Sequence, residues 1–226
     1  MTKFLASIKN EQEAHEIISA NIDIIDLKNI SDGALGFVGN DIMNNVKKIL
    51  SNHTISVTIG NHVNPNNNNN VENIKRAINL EINYIKIGLF EYKYFNEHQK
   101  LLNQIDFKKT YPICVMFADK EFNLDIAEKL ACIGYKGIMI DTYNKNGIST
   151  TELLSKEMIK EFINIMNKRE MFCGISGSLN FNDIKELKLL KPDFLGVRGL
   201  VCINENNRNT ISLDLLNQVS LEIAKH

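Results

Sequence analysis

Short runs of β-branched and aliphatic residues alternate with longer stretches in which apolar residues recur at helical spacing. The short runs predict strands at Lys3–Ile8, Ile22–Leu27, Ile55–Ile59, Tyr84–Ile87, Tyr111–Phe117, Gly137–Ile140, Phe172–Ser176 and Phe194–Val197. Most are nearly continuous in apolar character, the pattern of strands covered on both faces. The longer stretches predict helices over Glu11–Ala20, Asp41–Leu50, Val71–Leu80, a segment ending near Ile105, Leu124–Ile133, Lys156–Asn167, Phe181–Leu190 and Leu213–Ala224. Their apolar residues share one face: Ala14, Ile17 and Ile18 in the first, Ile159, Phe162, Ile163 and Met166 in the sixth. About eight successive βα units predict a (β/α)8 TIM barrel, with residues 1–226 as a single domain. An open doubly wound sheet also alternates strand and helix, but usually has fewer units. One stretch breaks the rhythm. Asn64-Pro65-Asn66-Asn67-Asn68-Asn69-Asn70 is of low complexity, and 61–70 reads as an expanded loop before the third helix.

Composition narrows the picture. The 226 residues are 44% apolar and 23% charged, ordinary values for a globular protein. A net charge of -1 gives no electrostatic case for nucleic acid or an anionic membrane as a partner. No apolar run approaches the roughly 20 residues of a membrane span. The start Met1-Thr2-Lys3-Phe4-Leu5-Ala6-Ser7 turns polar too soon for a signal peptide, so a cytoplasmic location is expected. Cys114, Cys132, Cys173 and Cys202 form no C-x-x-C pair and read as reduced thiols. The histidines are scattered away from them, so no metal site is expected.

The chemistry of such a barrel belongs at the C-terminal ends of its strands. Those ends carry Ser7, Asp26, Lys28, Lys86, Asp119, Asp141, Ser176 and Arg198, with Lys145 in the loop after the sixth strand. Asp26 and Lys28 stand at i and i+2 and share a strand face, so the carboxylate can orient the amine. Two lysines in one cavity depress each other's basicity, and a neutral amine is a nucleophile towards carbonyl carbon. Ser176-Gly177-Ser178 before a helix start, beside Arg198-Gly199 at the next strand end, reads as a phosphate cradle. The pattern therefore predicts Schiff-base chemistry on a small phosphorylated carbonyl compound.

The segments Asp26-Leu27-Lys28-Asn29, Tyr84-Ile85-Lys86-Ile87-Gly88, Phe117-Ala118-Asp119, Met139-Ile140-Asp141-Thr142, Ser176-Gly177-Ser178-Leu179 and Gly196-Val197-Arg198-Gly199, in that order, resemble the (5-formylfuran-3-yl)methyl phosphate synthase family of methanofuran biosynthesis. The resemblance implies a TIM-barrel carbon–oxygen lyase acting on phosphates. Two molecules of glyceraldehyde 3-phosphate would condense with loss of phosphate and water, in the manner of a class I aldolase. It implies Lys28 as the Schiff-base lysine, Lys86 as a proton-transfer lysine, and Asp26, Asp141 and Lys145 in support. Ser7, Asp119, Ser176, Gly177, Ser178, Arg198 and Gly199 are the expected substrate and phosphate contacts. No cofactor is implied, and barrels of this type often assemble into homo-oligomers. Three departures stand out: Asn61 in place of an acid after Gly60, a short segment after Asp119, and the asparagine tract. Another lysine aldolase or phosphosugar isomerase, and a non-catalytic phosphate-binding barrel, are the competing readings.

Overall fold

In a computed structural model of the chain, residues 1–203 and 208–225 are described. Strands β1 (Lys3–Ile8), β2 (Ile24–Leu27), β3 (Ile55–Thr58), β4 (Tyr84–Gly88), β5 (Tyr111–Phe117), β6 (Gly137–Asp141), β7 (Phe172–Ile175) and β8 (Phe194–Val197) run parallel and close into a barrel in sequence order. Helices α1 (Glu11–Ile17), α2 (Asn40–Ile49), α3 (Asn68–Asn79), α4 (Phe95–Gln104), α5 (Leu124–Leu130), α6 (Thr150–Leu153), α7 (Lys156–Lys168), α8 (Phe181–Leu189) and α9 (Leu213–Ala224) connect them or close the chain. The fold is the expected TIM barrel.

A recurrent polar residue fixes the strand register. Asp23, Asn83 and Asp193 each immediately precede a strand. Each side chain accepts the N–H of a residue at or near the start of a neighbouring strand: Phe4 at 2.7 Å, Ile55 at 2.9 Å and Cys173 at 2.7 Å. These carboxylate and amide oxygens satisfy backbone donors at the barrel's lower rim.

Side chains on alternate strand positions fill the lumen. Tyr84, Tyr111, Phe172 and Phe194 form an aromatic floor, with ring centroids 5.7–6.5 Å apart. Leu5, Ile24, Ile113, Val115 and Met139 belong to the apolar cluster that this floor joins. Gly174 makes room for it: a Cβ there would stand 2.2 Å from the Phe194 ring. Leu35, Phe90 and Phe117 extend the same cluster beside Gly88, whose own Cβ would collide with Phe90 and Leu35. The larger cluster packs the helices onto the outside of the strands.

Two expectations need correction. The asparagine tract is not all loop: Asn68, Asn69 and Asn70 form the first turn of α3. Asn67 caps it, its Oδ1 accepting the Asn69 N–H at 2.9 Å. Asparagine disfavours helix interiors because its amide competes with the backbone, and the same property suits it to a helix start. The first helix also ends at Ile17 rather than Ala20, and the next strand begins at Ile24 rather than Ile22.

Candidate active site

A cavity of about 300 Å³ opens at the C-terminal mouth of the barrel. Asp26, Lys28, Lys86, Asp141 and Lys145 all line it. Lys86 Nζ lies 2.9 Å from Asp26 Oδ1, and both side chains are almost wholly buried. Ser7 Oγ donates to the other Asp26 oxygen at 3.0 Å. Lys28 Nζ lies 3.7 Å from Asp141 Oδ2. Lys145 Nζ reaches Asp141 Oδ1 at 3.0 Å and also donates to the Thr142 carbonyl. The Asp26–Lys28 partnership expected from spacing is therefore exchanged for two pairs across strands. Asp26 serves Lys86, and Asp141 serves Lys28 together with Lys145.

The electrostatics separate the two lysine sites. Burial lowers the Lys28 ammonium to a pKa of about 7; nearby Asp141 opposes the shift, while Lys145 and Arg208 add to it. The cations that crowd Lys28 are thus Lys145 and Arg208, where the sequence pointed to Lys86. Burial works against the charge on Asp141, but Lys145, Lys28 and the Thr142 N–H outweigh it and hold this carboxyl well below the usual range. Asp26 is also lowered; burial opposes its charge, but Lys86, Lys28 and Ser56 together outweigh that. The site combines two persistent carboxylates with an amine that titrates near neutrality, as nucleophilic attack on an aldehyde requires.

Ser176, Gly177, Ser178, Arg198 and Gly199 also line the cavity. Gly177 has φ 101° and Ser178 φ 49°, so the turn runs through left-handed backbone. Among the described residues no acceptor meets the N–H groups of Gly177, Ser178, Gly199 or Leu200. Free amides in such a turn form an anion-binding concavity. Asn180 and Asp183 cap α8 reciprocally, so its first amides are already engaged.

Two predicted contact residues, and the departure at Asn61, are engaged within the protein instead. Arg198 has no donor left for substrate. Its five N–H groups go to Glu13 (2.7 and 2.8 Å), the Ser7 carbonyl (3.0 Å) and the Arg208 carbonyl (3.0 and 2.6 Å). Asp119 is outside the cavity lining. Its carboxylate accepts the N–H groups of Tyr143 at 2.6 Å and Asn144 at 2.7 Å, and so shapes the loop that carries Lys145. Asn61 accepts the Leu35 N–H and donates to the Asp32 carbonyl, bracing the loop after β2. Arg208, which sequence reasoning missed, lines the cavity. It sits in the polar stretch after Cys202, where no motif marks it. Glu13 was missed as well, although Asn10-x-x-Glu13 carries a capping-box spacing. Among the described residues, no group of three His, Cys, Asp or Glu side chains is placed to hold a metal ion, and no helix is long and apolar enough to cross a membrane.

Comparison with known proteins sets this constellation in a family. The family described as 4-HFC-P synthase matches residues 4–220. The chain belongs to the 4-HFC-P synthase family. A (5-formylfuran-3-yl)methyl phosphate synthase of Methanosarcina acetivorans is 29% identical, covering 97% of this chain and 98% of the relative. One from Methanosarcina mazei is 31% identical, covering 88% and 90%. Among solved structures, a phosphoribosyl anthranilate isomerase from Thermus thermophilus superposes with a TM-score of 0.68 at 8% identity, over 99% of this chain and 98% of its own. A 3-hexulose-6-phosphate synthase from Salmonella typhimurium gives a TM-score of 0.65 at 12% identity, over 97% and 99%. At such identities these structures share the fold with this 4-HFC-P synthase family member, and nothing further follows from them.

Proposed function

We propose that the chain is a (5-formylfuran-3-yl)methyl phosphate synthase that condenses two molecules of glyceraldehyde 3-phosphate through an imine on Lys28. The observation that carries this reading is the paired arrangement in one cavity: Lys28 beside Asp141 and Lys145, Lys86 beside Asp26. The neutral Lys28 amine adds to a triose carbonyl and water leaves, giving an imine whose adjacent C–H is acidified. Lys86 and Asp26, joined by one ion pair, move protons during enamine formation and carbon–carbon bond formation. Asp141 and Lys145 steady the iminium and transfer protons at Lys28. Elimination of one phosphate, loss of water in the ring closure and hydrolysis of the imine yield the furan aldehyde and return Lys28 as the free amine. The two trioses together lose one inorganic phosphate and two waters, with no net oxidation or reduction. Membership of the family and the resemblance at the strand ends support methanofuran biosynthesis as the setting.

Borohydride reduction in the presence of glyceraldehyde 3-phosphate should leave a covalent adduct on Lys28, read by peptide mass spectrometry. The wild-type protein should also release a furan aldehyde phosphate. An adduct that persists at full yield in Lys28→Ala, or triose phosphate consumed without any furan, would refute the assignment. The second outcome would favour an aldolase or isomerase.

A further inference from the structure

The geometry points to Arg208 as the side chain that binds a substrate phosphate, with Glu13 and Arg198 as positioning residues that hold its backbone. The inference rests on the cavity being one for phosphorylated aldehydes, and assigns the cation that recognises the phosphate.

Four observations support it. First, Arg198 is unsuited to that task, because all its donors are engaged within the protein. Second, two of those donors clamp the Arg208 carbonyl, while Glu13 grips the far side of the guanidinium in a bidentate pair. Third, Arg208 has φ 54°, a left-handed conformation that a side-chain-bearing residue disfavours. A non-glycine residue held there by a buried clamp is a place where structure is maintained against local preference. Lys9 adds a second tether through the Asn209 carbonyl at 2.6 Å, and the Cys202–Ile211 bridge closes the base of the segment. Fourth, the charges around the cavity favour an anion. Asp26 is matched by Lys86, Glu13 by Arg198, and Asp141 is shared between Lys28 and Lys145. With Lys28 neutral these pairs balance, and Arg208 is the further cation of a lining that also includes Gly177, Ser178 and Gly199. Its guanidinium presents the forked donors that match a phosphate.

The test measures binding of inorganic phosphate by calorimetry, and borohydride trapping of glyceraldehyde 3-phosphate against unphosphorylated glyceraldehyde. Arg208→Gln should weaken phosphate binding roughly tenfold or more. It should also erase the preference for the phosphorylated aldehyde, read as the ratio of the two trapping yields, because any change in Lys28 basicity alters both yields alike. Arg208→Lys should recover part of the affinity. Arg198→Lys should weaken phosphate binding in the parent but add little in the Arg208→Gln background, since the two act as one unit. A merely structural Arg198 would give additive losses. Unchanged phosphate affinity in Arg208→Gln, or equal loss of trapping for both aldehydes, would overturn the inference, as would a wild-type protein that does not bind phosphate. If neither aldehyde is trapped on Lys28, the proposed reaction fails, and phosphate calorimetry still decides the role of Arg208.

Discussion

In the proposed reaction Lys28 is the residue on which the chemistry turns, and its environment sets a testable pH dependence. With a pKa of about 7, the amine is protonated and unreactive below neutrality and free above it. The rate at subsaturating substrate should rise with pH through about 7 and then level off. Lys145→Met removes a neighbouring cation and leaves Asp141 to Lys28 alone, and both changes favour the ammonium form. The rising limb of the pH profile should move to higher pH in that variant; a limb that stays in place would assign it to another group. The individual lysines and aspartates were legible in the sequence because charged residues interrupt apolar runs at strand ends. Their pairing was not. Asp26 and Lys28 are neighbours in sequence, yet Asp26 meets Lys86 and Lys28 meets Asp141, which depends on how the strands close in space. Arg198 was legible as a strand-end cation, but its partner Glu13 is 185 positions away in the chain, and no local pattern links the two.

At the scale of elements, the strand and helix sequence was readable because buried parallel strands are apolar almost throughout, and because their helices keep one apolar face. The exceptions have local causes. The start of α3 hides in an asparagine tract, where helix-forming propensity is low and capping capacity is high. The short helix α6 was not foreseen; it is set by the Ser149 and Glu152 capping box rather than by any apolar period. Strand β7 illustrates how tightly the lumen is packed. Gly174→Ala would drive a methyl into the Phe194 ring, 2.2 Å and 2.5 Å from its nearest atoms. This overpacking should cost about 1–3 kcal/mol, seen as a lower urea midpoint, with the Lys28 adduct still forming in the folded fraction. An undiminished midpoint would mean that the aromatic floor yields easily.

Over the whole molecule, the barrel divides its two ends by character. The lower end is aromatic and apolar, while the upper end gathers ion pairs and unengaged backbone amides. That polarity was visible in outline from the placement of ionisable residues at strand ends. The place of Leu35 and Phe90 in the lumen cluster was not, because both come from loops whose course no periodicity records. The four rings of the floor carry a kinetic consequence. They bar the bottom of the cylinder, so reactants and products share the doorway at the top. Phosphate liberated in the proposed reaction would retreat past the same amides and guanidinium that are inferred to receive the incoming ester. In the proposed reaction, added inorganic phosphate should slow turnover by competing with fresh triose phosphate, and a progress curve indifferent to it would imply a separate exit.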